Sequence, residues 1–248
     1  MSLSDIKILV SGDGYTYTKS SHKTWANIFQ LVGCEVVDVG CPGVSNQWIV
    51  NKTFLELQKN TGIDTAFVQL ADLGKLDVEV DIDRINNLVK PDPLRNFVID
   101  RDLQVLSDSQ IGDCGIWPSS MSDCHESKKQ WQKWLFSPAL EKEDLYCKLL
   151  LLENFCKERN IKLCVYHGFY IDWNSEQRAG LQHMIRNIDD CITSAYQKSP
   201  HYQNHNHHNQ NLIPCLGYQL ELAQTIGKEL PMDLQQKLLK FKLAYGRT

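Results

Sequence analysis

Between residues 6 and 70, short apolar runs alternate with stretches of helical spacing, and each run ends in turn-forming residues. The first run is Ile6-Lys7-Ile8-Leu9-Val10, followed by Ser11-Gly12-Asp13-Gly14. The second is Glu35-Val36-Val37-Asp38-Val39, followed by Gly40-Cys41-Pro42-Gly43. The third is Asp64 to Leu70. A continuous apolar run of this length suits a strand covered on both faces. Between the runs, Trp25, Ile28, Phe29 and Val32 share one helical face, as do Val50, Thr53, Phe54 and Leu57. Ser20 or Ser21 can cap the first helix and Gly33 can end it; Ser45 or Asn46 can cap the second, and Gly62 closes it. A βαβαβ order of this kind predicts a parallel sheet with right-handed crossovers, hence an α/β, three-layer, flavodoxin-like fold.

The same pattern resumes at Pro138. Leu145, Leu149, Leu152 and Phe155 or Cys156 form a helical stripe, Asn160 ends it, and Ile161 to Tyr166 read as the fourth strand. A helix is predicted over 175–197, another over about 216–228, and a last one from Pro231. Residues 72–136 interrupt the alternation and read as an insertion with small elements of its own, including a possible strand at Asn96-Phe97-Val98-Ile99. The chain has no internal repeat and no Gly/Ser-rich linker, so residues 1–248 are expected to form one domain carrying that insertion.

With a formal net charge of -4 and no long basic run, the chain is a poor match for a nucleic-acid binder held by phosphate contacts. The residues Met1 to Asp5 lack a basic and an apolar segment, so no secretory signal is expected. The longest apolar run, Leu149 to Leu152, is too short to cross a membrane. The 9 cysteines show no Cys-x-x-Cys spacing, and several sit in apolar patterns, as Cys164 does. They read as reduced, buried thiols of an intracellular compartment or particle.

In an open parallel sheet, ligands sit beyond the carboxyl ends of the strands. The loops 11–17, 40–46 and 70–74 converge there. Gly12-Asp13-Gly14-Tyr15-Thr16-Tyr17 resembles the first block of SGNH (GDSL-type) hydrolases, in particular the phage-encoded branch. Cys41-Pro42-Gly43-Val44-Ser45-Asn46 is similar to that branch's second block, and Tyr146 to Val165 is similar to the helix and strand before its last block. The resemblance spans most of the chain outside 72–136.

That resemblance implies a serine nucleophile, an oxyanion hole and a terminal Asp-x-x-His pair. Gly14 stands where the serine is implied, and Gly43 matches the glycine whose N–H helps hold an oxyanion. The third block lacks its Asn, since the strand runs into Gln69-Leu70-Ala71-Asp72. Ahead of Gly217-Tyr218 stand Asn209-Gln210-Asn211-Leu212, with neither Asp nor His in register. Asp13, Gly14, Gly43 and Asn46 therefore read as a vestigial site. The alternative is a relocated nucleophile, Ser11, with a base from His201 or its neighbours.

His201, His205, His207 and His208 offer an i, i+4 pair that could bind a metal from one helix face. Their Asn-rich surroundings favour a polar loop, and no metal or other cofactor is expected. The acidic stretch Asp72, Asp77, Glu79, Asp81 and Asp83 lacks the calcium-loop pattern and reads as a solvated face. Trp131 and Trp134 are spaced for packing on one helix face, whereas Trp117, beside Pro118, suits exposure at a sugar or peptide surface.

These readings combine into an expectation. The chain is a non-catalytic SGNH-like protein of viral (phage) origin, a virion-associated structural or glycan-contacting module. Its expected partners are other protein subunits or a glycan, with no nucleic acid and no membrane, and an oligomer is open. Its expected location is the host cytoplasm or the virion. The alternative is an active esterase or acetylhydrolase acting on acylated carbohydrate.

Overall fold

A computed structural model of the chain describes residues 6–13, 16, 23–41, 44–73, 77–81, 114–118, 137–187, 189–203 and 216–245. Strands β1 (Lys7–Ser11), β2 (Glu35–Asp38) and β3 (Thr65–Leu70) fall on the three apolar runs. Helices α1 (Trp25–Leu31) and α2 (Asn46–Lys59) connect them. Strands β4 (Asp77–Asp81) and β5 (Cys114–Pro118) follow, then helix α3 (Pro138–Glu158) and strand β6 (Lys162–His167). The remaining elements are α4 (Ser175–Leu181), β7 (Ile185–Arg186), α5 (Ile192–Lys198), α6 (Pro200–Gln203), α7 (Leu216–Gly227) and α8 (Met232–Tyr245).

The main sheet has five strands in the order β2-β1-β3-β6-β7, and every adjacent pair is parallel. Counted within that sheet, the order is 2-1-3-4-5, the flavodoxin-like doubly wound arrangement. Helices cover both faces. Leu9, Val68, Leu70 and Val165 pack on one side against α2, α3 and α4, through Ile49, Leu57, Leu149, Leu152 and Leu181. Ile8, Val10, Phe67 and Cys164 pack on the other against α1, α5, α7 and α8, through Trp25, Phe29, Tyr196, Ile226 and Leu238. Alternate residues of one strand thus serve opposite cores. That is why β3, with all six residues buried, shows no alternation of buried and exposed positions. Each fully buried aliphatic or Phe side chain contributes about 1.5–3 kcal/mol relative to exposure.

Local signals set most boundaries. The Ser45 hydroxyl accepts from the Trp48 amide and caps α2. Thr24 precedes α1, and its amide donates to Asn27 Oδ1 at 2.9 Å, so the helix starts later than Ser20 or Ser21, which lie outside the described residues. Gly33 (φ 100°) and Gly62 (φ 77°) take left-handed conformations after α1 and α2, as helix-ending glycines do. Asn160 (φ 57°) does the same after α3.

The predicted helix over 175–197 is an error. Residues 175–181 and 192–198 are helical, but Ile185 and Arg186 between them form β7 beside Val165 and Tyr166. Met184 and Ile185 are buried in the sheet core. An edge strand of two residues leaves too little alternation to outweigh the helical spacing around it.

Within the insertion, β4 and β5 form a separate antiparallel pair, with Val78 opposite Trp117. The segment Asn96 to Ile99, together with Trp131 and Trp134, lies outside the described residues. Of the cysteines, Cys34, Cys41, Cys156, Cys164 and Cys191 are buried, whereas Cys147 is exposed on α3. Burial pushes the Cys34 thiol up to about 11 and the Cys156 thiol up to about 12, so both stay protonated and inert. Among the described residues, no helix is long and apolar enough to cross a membrane.

Candidate functional site

The carboxyl ends of β1, β3 and β6 lie side by side, because Ser11 pairs with Val68 and Leu70 pairs with His167. Polar side chains collect at this edge. Ser11, Asp13, Asn46, Gln69 and His167 are all buried.

Two side chains gather the flanking loops onto the end of β3. Asn46, the first residue of α2, faces the main chain of Ala71: its Oδ1 accepts from the Ala71 N–H at 2.7 Å, and its Nδ2 donates to the Ala71 carbonyl at 3.1 Å. The pair works like one rung of a sheet ladder and fixes the loop between β2 and α2 against β3. From the other loop, Asp13 Oδ1 accepts from Gln69 Nε2 at 2.7 Å. The Asp13 carbonyl accepts from both the amide and the hydroxyl of Thr16, which closes the turn back on itself. Replacing Asn46 by Ala strands the Ala71 groups in a buried position, and we expect a loss of about 2 kcal/mol in urea unfolding. Asn46→Asp should recover little of it, because a carboxylate cannot donate to the Ala71 carbonyl.

Gln69 lies in a slot that only glycines leave open. A Cβ at Gly12 would stand 2.8 Å from Gln69 Cβ, and one at Gly168 would stand 2.5 Å from Gln69 Nε2. With its Nε2 on Asp13, the Gln69 Oε1 is a buried acceptor with no hydrogen-bond partner. The Gly168 N–H donates to the Leu70 carbonyl at 2.9 Å, and the Gly168 carbonyl accepts from the Thr193 hydroxyl at 2.7 Å. These bonds tie β6 to β3 and to α5.

His167, the last residue of β6, points to the opposite face from Gln69, toward α4. Its Nε2 accepts from Trp173 Nε1 at 2.9 Å, and the two rings stack with centroids 6.2 Å apart. Burial drives its pKa down to about 4, only partly opposed by the Asp190 main chain. The ring is therefore neutral at pH 7, and its proton sits on Nδ1, because Nε2 accepts from Trp173.

The structure places the sequence-derived candidates as follows. Asp13 and Asn46 are brought together at the end of β3 by their bonds to Gln69 and Ala71. Gly14 and Gly43 lie outside the described residues. Ser11 is fully buried on the α2 side, and its hydroxyl donates to the Ile49 carbonyl at 3.4 Å. His201 lies in the short helix α6, and His205, His207 and His208 lie outside the described residues. Among the described residues, no three His, Cys, Asp or Glu side chains gather as a metal ion needs. Sequence reasoning missed His167, Trp173 as its donor, and Gln69 as the partner of Asp13. Position was the available signal: His167-Gly168 directly follows a buried strand at the edge where parallel sheets place ligands.

The fold and this edge define an α/β protein of flavodoxin-like strand order, with a polar, tightly tied strand edge. No family model matches the sequence, and no curated protein matches it. Among solved structures, the chain is similar to one assigned to the G-D-S-L family of lipolytic proteins, from Desulfitobacterium hafniense DCB-2. The identity is 12%, the TM-score is 0.24, and the match covers 69% of this chain and 82% of that one. An overlap that loose defines neither fold nor site, which rest on the strand order and the side-chain contacts.

Proposed function

We propose that this chain is a non-catalytic SGNH-like module whose strand-edge loops contact a glycan or another protein subunit, as a virion-associated component of phage origin. The observation that carries the non-catalytic reading is the commitment of Ser11. Its hydroxyl is fully buried and donates to the Ile49 carbonyl of α2, which closes it to an acyl group arriving from solvent. The other edge groups support it. Asp13 holds Gln69, Asn46 holds Ala71, and the acceptor nitrogen of His167 is taken by Trp173. A base already engaged by an indole N–H cannot also receive a serine proton. With Gly14 at the position the resemblance gives to the nucleophile, these groups serve loop placement rather than acyl transfer.

The test is incubation with an activated acetyl ester and a serine-directed phosphonate. We expect no covalent label, and no change in the background rate for Ser11→Ala. Gly14→Ser should also stay almost inactive, because the groups that would serve it are occupied. Phosphonate labelling that disappears in Ser11→Ala would establish the esterase reading, and clear turnover by Gly14→Ser would show that a competent base is present. The contact role is tested by a glycan array probed with the intact protein, in which Gln69→Ala should weaken any binding found at the edge.

A further inference from the structure

Helix α8 has two apolar faces, and the fold uses one of them. Leu234 and Leu238 are buried, with Phe241 partly so, against the core beside α1 and α7. On the other side, Met232, Leu239 and Leu243 are 67%, 50% and 58% exposed. With the exposed Gln236 between them, they recur at intervals of four, three and four residues. This is the spacing of a coiled-coil seam, in which Met232 and Leu239 take one core position and Gln236 and Leu243 take the other.

The seam reads the same in both directions. In an antiparallel pairing centred between Lys237 and Leu238, Met232 meets Leu243 of a second copy, and Gln236 meets its Leu239. The flanking charges then match. Asp233 and Lys240 are both exposed, and neither makes an ion pair among the described residues. In the antiparallel arrangement Asp233 of each copy stands beside Lys240 of the other, which gives two equivalent ion pairs about the two-fold axis. A parallel pairing makes no opposite-charge pair between the helices. We propose that α8 is a self-association surface through which two copies of this chain pair antiparallel.

Two heptads make a short seam, so the interface belongs to the small, transient class and the dimer dissociates at roughly 10–100 µM. Gln236 against a leucine weakens the seam while fixing its register, as a polar core residue does in coiled coils. The test is sedimentation velocity on the full chain up to roughly 500 µM, well above that range. The mass should rise toward twice the monomer value with concentration. Leu239→Glu should hold the protein monomeric throughout. Lys240→Glu sets Glu against Asp233 and should weaken association at least about tenfold. Adding Asp233→Lys to Lys240→Glu should restore it. That restoration separates ion pairing from misfolding, because the double variant carries both changes and still associates. A monomer at every concentration, or a dimer indifferent to Leu239→Glu and to the charge reversal, would overturn the proposal. So would a monomer that binds anionic vesicles through Leu239, since the stripe would then serve a lipid surface.

Discussion

Gly168→Ala is expected to lower the stability of the fold by about 3 kcal/mol, read as a shift in the urea midpoint at unchanged slope. The added Cβ would stand 2.5 Å from Gln69 Nε2 and 2.6 Å from the Leu70 carbonyl oxygen. The first clash can be relieved by turning the Gln69 side chain, but that breaks its 2.7 Å bond to Asp13 in a buried setting. The second cannot be relieved by any rotamer. The Leu70 carbonyl belongs to β3 and accepts from the Gly168 amide itself, so β3 and β6 must separate. A double variant separates the two. Gln69→Ala added to Gly168→Ala removes the side-chain clash and leaves the main-chain one, so only part of the stability lost in the Gly168→Ala variant should return. If Gly168→Ala costs nothing in the Gln69→Ala background, the main-chain contact does not constrain the strands and the slot is a side-chain matter alone.

Where side-chain periodicity decides structure, the sequence was readable. The strands β1, β2, β3 and β6 and the helices α1, α2, α3, α7 and α8 fall within a few residues of their predicted places, because each carries several apolar residues on one face or a run covered on both. The first break came at β7, whose two residues give no period to detect. The late start of α1 has a different cause. Any serine or threonine ahead of an apolar stripe can cap it, and only the packing of Trp25 and Phe29 on Phe67 settles which one does.

The edge was legible in a narrower sense. Its place at the carboxyl ends of the strands follows from parallel order alone. The bonds there do not, because they join residues far apart in the chain. Asp13 reaches Gln69, and Asn46 reaches Ala71. From the sequence, Asp13 and Asn46 look like remnants of a catalytic pattern; in the fold each holds a loop on β3. Gln69 completes the first of these contacts, since it supplies the amide that Asp13 accepts from.

Acid should unfold this protein partly through one side chain. The folded His167 titrates near 4, below its ordinary value of about 6.5, because burial disfavours the charged ring. The unfolded chain therefore takes up the proton first as pH falls. The stability that this histidine contributes is fully present above pH 6.5 and is lost as the pH drops toward 4. The gap between 6.5 and about 4 corresponds to about 3 kcal/mol lost by pH 4. Protonation also places a hydrogen on Nε2, facing the Trp173 N–H that now donates to it at 2.9 Å, so the pair must part. The measurement is urea unfolding at several pH values between roughly 7.5 and 4, compared with His167→Gln. A glutamine oxygen can still accept from Trp173 but does not titrate. The variant should be less stable at the upper end of that range and should converge on the parent as pH falls, since carboxylates elsewhere titrate alike in both proteins. Curves that stay parallel across the window would show that His167 is not what couples this fold to acid.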